Sequence, residues 1–166
     1  MHSATGKAVG TMKLKIGIGT DHRGFAYKEV VKLDVSWGDF AIEWHDVGAY
    51  SDERTDYPIY AHKAVQALQK KEIQYAVLLC GSGVGMAIAA NRFPNIYAAV
   101  AWNSDVARAA KADDNVNVLC IPADYVTLEQ TREIIQAWLA ASFKGGRYQR
   151  RLEMIDPACA KAPAGK

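Results

Sequence analysis

The residues best suited to chemistry are gathered in one stretch, Leu78-Leu79-Cys80-Gly81-Ser82-Gly83-Val84-Gly85-Met86. An apolar run ends in a cysteine, a glycine loop follows, and a helical pattern begins directly after it. Such a loop leaves the backbone N–H groups of Gly81, Ser82, Gly83 and Gly85 free at a helix start, where they can cradle phosphate, carboxylate or a developing oxyanion. Cys80 at that hinge would feel the positive end of the helix dipole, which favours the thiolate. A thiolate can serve as nucleophile or general base. As a dinucleotide fingerprint the loop fits poorly. It follows the third strand-like run rather than the first, and the next run ends in Trp102-Asn103 without an acidic residue.

Three further groups could serve the same chemistry. Asp21-His22 follow the first strand-like run and could orient a sugar hydroxyl and bind phosphate. Asp52, Glu53, Arg54, Thr55, Asp56 and Tyr57 crowd one polar loop. Arg147 and Arg151, four apart, share a helix face and could grip a phosphate with paired guanidiniums. Such a clamp must reach a strand-end site from the C-terminal region, in the same chain or from a neighbouring subunit. Taken singly, each has a plainer reading: Cys80 as a small core residue, the loop as a tight turn, Asp21-His22 as a solvated turn, the arginines as a basic face. Cys120 reads as core, Cys159 carries no assignment, and His45 and His62 read as structural or exposed.

The elements that must position these residues follow from periodicity. Strands are expected over Lys13–Thr20, Ala41–Val47 (near a sheet edge), Gln74–Cys80, Tyr97–Trp102 and Val116–Ile121. Helices are expected over Phe25–Leu33, with Lys28, Glu29 and Lys32 on the polar face, and from Pro58 to about Lys71. Further helices run over Val84–Arg92, from a Ser104 N-cap to about Asp113, from the Thr127/Gln130 capping box to about Phe143, and over Arg147–Ile155. The nearly continuous apolar run at Gln74–Cys80 marks a central parallel strand covered on both faces. Five strands alternating with helices imply a single-domain, three-layer αβα, doubly wound (Rossmann-like) fold with a five-stranded parallel sheet. Ligands of such sheets bind outside the carboxyl ends of the strands. Asp21-His22, Asp52–Tyr57, Cys80–Ser82, Asn103 and Asp113–Asn115 are expected to collect at that rim.

Composition narrows the classes. With 166 residues, 23% charged and a formal net charge of +2, the chain has neither the basic excess of a nucleic-acid binder nor an apolar run of membrane length. Three cysteines without regular spacing argue against a disulfide framework and for a reducing, cytoplasmic setting. The scattered His2, His22, His45 and His62 give no metal-ligand spacing. Residues 1–12 read as a disordered leader without a signal peptide, 13–155 as the folded domain, and 156–166 as a flexible tail.

Together these stretches resemble the ribose-5-phosphate isomerase B family, which includes the galactose-6-phosphate isomerase subunits. The resemblance rests on Gly19-Thr20-Asp21-His22-Arg23-Gly24-Phe25, on Ser51 through Pro58, on Leu79 through Gly85, on Ala89-Ala90-Asn91-Arg92, on Asn117-Val118-Leu119, and on Gly145-Gly146-Arg147-Tyr148-Gln149-Arg150-Arg151. It implies aldose–ketose isomerisation of a phosphosugar through an enediol, with no metal and no other cofactor. By that resemblance Cys80 moves the proton between carbons, and Ser82 with the amides of Gly81, Gly83 and Gly85 handles the oxygens. Asp21, Tyr57 and Asp114 hold substrate, and His22, Arg147 and Arg151 bind phosphate. It further implies a homodimer or homotetramer with the active site at the subunit interface.

Two departures bear on the substrate. The family usually has His-Asn-Asp before Asn117-Val118-Leu119, and that histidine helps to open the sugar ring; here the run is Asp113-Asp114-Asn115. After the fifth strand the family usually has an arginine that contacts substrate, where this chain has Asp124. A tetrose or tetrulose phosphate, which cannot close a five- or six-membered ring through its phosphorylated end, would not need the histidine. Alternatively, Asp113 does the acid–base work for a cyclic pentose phosphate. A cysteine-nucleophile phosphatase fits less well, because Gly81–Gly85 contains no arginine. A non-catalytic sugar-phosphate-binding protein is the remaining alternative.

Overall fold

The computed structural model describes residues 11–155. Its strands are β1 (Met12–Thr20), β2 (Phe40–Gly48), β3 (Tyr75–Cys80), β4 (Ala98–Val100) and β5 (Val118–Pro122). Its helices are α1 (Phe25–Leu33), α2 (Tyr57–Gln69), α3 (Val84–Ala90), α4 (Ser104–Asp114), α5 (Leu128–Ala140) and α6 (Arg147–Ile155). The strands form one sheet in the order β2-β1-β3-β5-β4, and every pairing is parallel. Side chains of β3 alternate between two apolar layers. Val77 and Leu79 pack with Val31 of α1, Ala107 of α4 and Ile134, Ile135 and Trp138 of α5. Ala76, Leu78 and Cys80 pack with Ala61, Ala64 and Val65 of α2 and Met86 and Ala90 of α3. The fold is therefore the expected three-layer doubly wound α/β domain, with β2 at one edge. The loops after β1 and β3 leave neighbouring strands for helices on opposite faces, which opens a crevice at the centre of the rim.

Several boundaries differ from expectation for local reasons. Edge strand β4 keeps only three residues, because the Tyr97 amide bonds the Asn117 side-chain oxygen at 2.9 Å. The cap of α4 is Asn103, whose side chain accepts the Val106 N–H at 2.9 Å; Ser104 is the first helical residue. Helix α5 opens on the expected capping box but ends at Ala140, where the chain turns so that Lys144 N–H reaches Ala112 O at 2.9 Å. β1 begins at Met12, inside the expected leader, and pairs there with Phe40. Residues 1–10 and the tail 156–166 lie outside the described residues. No helix among the described residues is long and apolar enough to cross a membrane.

Lys28 corrects a second expectation. It does not sit on a polar face but is fully buried, with its ammonium 2.8 and 2.7 Å from the two Asp46 oxygens and 3.0 Å from Glu29. Lys32 reaches Asp46 at 2.6 Å, and the Gly48 N–H donates to it at 2.9 Å. Burial alone would raise the Asp46 carboxyl, but the hydrogen bonds from Lys28, Lys32 and Gly48 outweigh it and hold the group below its ordinary range. A charged lysine has no helical-pattern signature of burial; only its carboxylate on β2 makes the position tolerable. Because the folded-state value is depressed, this carboxylate stabilises the fold above the unfolded carboxylate range and loses that contribution as pH falls through the folded value. Asp46→Asn is expected to cost about 3 kcal/mol in urea unfolding at neutral pH, since it leaves a buried ammonium short of its partner. The same variant should lose less stability than the natural chain on acidification; an equal acid loss would remove Asp46 as the source.

Candidate active site

Cys80 is the last residue of β3 and points into the α2/α3 layer, immediately before the start of α3. The turn between them requires Gly83, whose φ of +75° is a left-handed conformation that glycine adopts at little cost. That turn aims amides inward: Gly83 N–H lies 3.1 Å from Cys80 Sγ, and the N–H groups of Met86 and Ser82 also act on the sulfur. The cradle is thus engaged with the thiol itself. Burial pushes the Cys80 thiol up; the Gly83 and Met86 amides pull it down, the Asp21 charge pushes it up, and the Ser82 amide pulls it down. The net direction is upward, so desolvation outweighs the dipole effect expected from the helix start. Cys80 is 4% exposed, whereas Ser82 and Val84 beside it lie at the surface.

Tyr57, the first residue of α2, lies against the same turn. A Cβ on Gly85 would stand 2.6 Å from its ring, so glycine is what lets the phenol approach the start of α3. Asp21 is buried at the end of β1, and one of its carboxylate oxygens accepts the Arg23 N–H at 2.9 Å. His22 Nδ1 lies 3.2 Å from Thr55 O and 3.3 Å from Thr55 N, which docks the ring on the loop before α2. Thr55 Oγ1 in turn lies 2.9 Å from the Tyr60 hydroxyl. Asp21, His22, Tyr57, Cys80, Gly81, Ser82, Gly83 and Gly85 therefore share one rim, as expected. Reasoning from residue types missed a cross-brace there. The Arg23 guanidinium pairs with Asp124, and both lie over Gly81. The Asp124 N–H also donates to Gly81 O at 3.1 Å. Arg23 stood inside a recognisable motif, but its partner is 101 positions away.

The expected site residues Asp113, Asp114, Arg147 and Arg151 are not on this rim. Asp113 and Asp114 close α4, which runs back along the sheet to the amino ends of the strands, so they precede β5 rather than follow a strand. The expectation that Asp113–Asn115 join Cys80 at one rim is corrected on that ground. Asp113 is paired with Lys144 at 2.6 Å. Arg147 and Arg151 of α6 lie beside it, with Lys144, Arg147 and Arg151 all over the Tyr148 ring at 4.9, 5.0 and 5.4 Å. The Arg147 guanidinium donates to the Tyr148 hydroxyl at 3.1 Å. Neither arginine has a carboxylate partner among the described residues. The thiol with its amide cradle and the cluster of cations thus lie at opposite ends of one sheet.

A doubly wound sheet with a thiol, a carboxylate and an imidazole around its central crevice has the layout of an α/β enzyme for a small polar substrate. A family profile described as Ribose/Galactose Isomerase matches residues 16–155. Ribose-5-phosphate isomerase B of Escherichia coli (strain K12) is 42% identical over 142 residues, 85% of this chain and 93% of that protein. D-erythrulose-4-phosphate isomerase 2 of Mycolicibacterium smegmatis is 37% identical over 133 residues, 80% of this chain and 88% of that one. The structure of Clostridium thermocellum ribose-5-phosphate isomerase B superposes with a TM-score of 0.83 at 34% identity, covering 89% of this chain and 99% of that chain. The chain belongs to the ribose/galactose isomerase family. It is an aldose–ketose isomerase acting on a phosphorylated sugar.

The Cys80 electrostatics can be tested without substrate. The ultraviolet thiolate absorbance, taken as the difference between the natural chain and Cys80→Ala, should titrate above the ordinary thiol range. In Asp21→Asn the midpoint should move down, because the carboxylate that opposes the thiolate is gone. An unchanged or higher midpoint would mean that Asp21 does not act on the sulfur.

Proposed function

We propose that this chain interconverts ribose 5-phosphate and ribulose 5-phosphate, or a close phosphosugar pair, with Cys80 as the base that moves the proton. The observation that carries the reading is the thiol at the start of α3, with loop amides aimed at its sulfur in the central crevice. In the open-chain aldose the Cys80 thiolate takes the proton from C2, the C2–H pair forms the C1=C2 bond, and the carbonyl pair moves to O1, which takes up a proton from solvent beside Ser82 to give the enediol. The thiol then returns its proton to C1, and O2 gives up its proton to solvent as it becomes the new carbonyl, so the proton gained at O1 is balanced by the one lost at O2. The amides that hold the sulfur stabilise the thiolate, offsetting part of its desolvation. Ser82, exposed beside the cradle, serves the oxygens, and buried Asp21 with Tyr57 holds hydroxyls. His22 grips the phosphate from the same rim.

Arg147, Arg151, Asp113 and Asp114 complete the site from a second copy of the chain. Their place at the opposite end of the sheet supports this, as do the exposed apolar residues beside each half-site. Val84 and Ile88 of α3 are 50% and 55% exposed near Cys80, and Met154 and Ile155 of α6 are 71% and 62% exposed near the arginines. A two-fold dimer that brings one half-site to the other forms two complete sites by symmetry. The buried free thiols Cys80 and Cys120 suit a reducing, cytoplasmic compartment.

A second substrate reading has its own support. Asp113, which stands where the resemblance places a ring-opening histidine, is held by Lys144 rather than free. A tetrulose phosphate needs no ring opening, and the M. smegmatis relative bears the name of such an isomerase. Steady-state turnover of ribose 5-phosphate against D-erythrulose 4-phosphate separates the two readings. A kcat/KM for ribose 5-phosphate that exceeds the tetrulose value sinks the second.

Two variants test the mechanism and the assembly. Cys80→Ala should lower kcat at least about a thousandfold while phosphosugar binding persists. If the natural chain binds phosphosugars but turns over none, it is a sensor and not an enzyme. Mixing inactive Cys80→Ala with inactive Arg147→Ala/Arg151→Ala subunits, denatured and refolded together, should restore about a quarter of the natural activity, because half the dimers then hold one intact site. No recovery would mean that each chain supplies its own arginines.

A further inference from the structure

Lys111 stands apart from everything above. It lies on the inner face of α4 and is 7% exposed. Its ammonium sits 3.5 Å above the centroid of the Tyr75 ring and 5.0 Å from that of Trp138, which itself meets Tyr75 edge to face. No carboxylate, hydroxyl or carbonyl bonds it among the described residues. The other buried lysine of the fold, Lys28, has a carboxylate at under 3 Å; Lys111 has only ring faces. A buried cation is costly unless paired, and a ring face recovers only part of the loss of water. Burial pulls the Lys111 pKa down to about 8, with no compensating charge.

Lys111 and Tyr75, on whose ring its ammonium rests, also line a cavity of about 330 Å³ at the amino end of the sheet. Leu14 of β1, Phe40 of β2, Leu139 of α5 and Phe143 wall it, and Asn115 and Ser142 add a side-chain amide and a hydroxyl at its edge. Tyr75 is the only other titratable side chain on the wall. Of the charged residues nearest on α4, Arg108 is paired with Asp105 and Asp113 with Lys144, while Asp114 lines a different cavity beside α6. The site thus offers one unpaired cation at the end of an apolar, aromatic-walled space.

We propose that this cavity is a binding site for a small organic carboxylate with an apolar body, separate from the Cys80 crevice. The carboxylate meets the Lys111 ammonium and supplies the missing partner, and the body packs on Leu14, Phe40 and Leu139. A phosphosugar does not fit this chemistry: its hydroxyls would lose water against apolar walls, and its dianion would meet a single cation. The cavity is therefore not a second substrate site, and its ligand is a different class of metabolite. The cavity also abuts the turn in which Lys144 N–H holds Ala112 O, next to the cations of α6.

Benzoate, with benzamide as its uncharged counterpart, is the probe. Titrated into the full chain labelled with ¹⁵N, benzoate should shift the Trp138 indole and Asn115 amide resonances in a saturable way, at a Kd of about a millimolar for so few atoms. Benzamide should not. If only the ammonium binds, affinity falls more than about tenfold between neutral pH and pH 9.5, as Lys111 loses its proton. Lys111→Met, which keeps the stem and loses the charge, should bind at least about tenfold more weakly. Should that variant fail to fold, the pH arm on the natural chain decides alone. Absence of saturable shifts, equal binding of benzamide, or affinity that does not change with pH would each overturn the proposal.

Discussion

The structure depends on covering both faces of β3. A strand with Val77 and Leu79 on one side and Ala76, Leu78 and Cys80 on the other cannot face water on either. The chain meets this with parallel strands and helical crossovers. That choice fixes the geography of function. Every loop that leaves a strand emerges at one rim, and every loop that enters a strand comes from the other. Cys80 and Asp21 leave strands; Asp113 enters one. The distance between thiol and arginines is therefore a consequence of parallel topology, and no rearrangement of side chains within one chain removes it.

The same burial sets the chemical character of the thiol. At the end of a core strand, Cys80 packs in the α2/α3 layer while loop amides act on its sulfur. Its amide cradle works against the desolvation that the core imposes, and desolvation prevails in the free protein. Anchored phosphate can then contribute what the cradle leaves undone, since binding energy distant from the reacting carbons is available for orienting them. Asp21 belongs to both sides of this balance. Proposed as a holder of substrate hydroxyls, it also opposes the thiolate with its charge.

The architecture and the Cys80 rim were legible because their signals are local. A continuous apolar run, a glycine loop and a capping box each act over a few residues, and each held. Two kinds of feature were not legible. Lys28 and the Arg23–Asp124 brace depend on partners that only the fold brings near, and a charged residue looks the same in sequence whether solvated or paired in the core. Asp113–Asn115 misled for another reason. A polar run beside a strand reads alike at either rim, and nothing in their spacing says which end of a helix they occupy. The idea of a shared site comes from the resemblance to a family; the geometry shows that the thiol and the arginines of one chain lie at opposite ends of its sheet.

The strand order has a consequence for biosynthesis. β5 is made last but lies between β3 and β4, so β4 has no neighbour until β5 inserts. A nascent chain that has not yet released Pro122 presents an unpaired edge of β3, a strand apolar on both faces. It also lacks Asp124, so Arg23 cannot yet brace the glycine loop. Completion of the Cys80 rim thus waits on β5, the last strand of the described sheet.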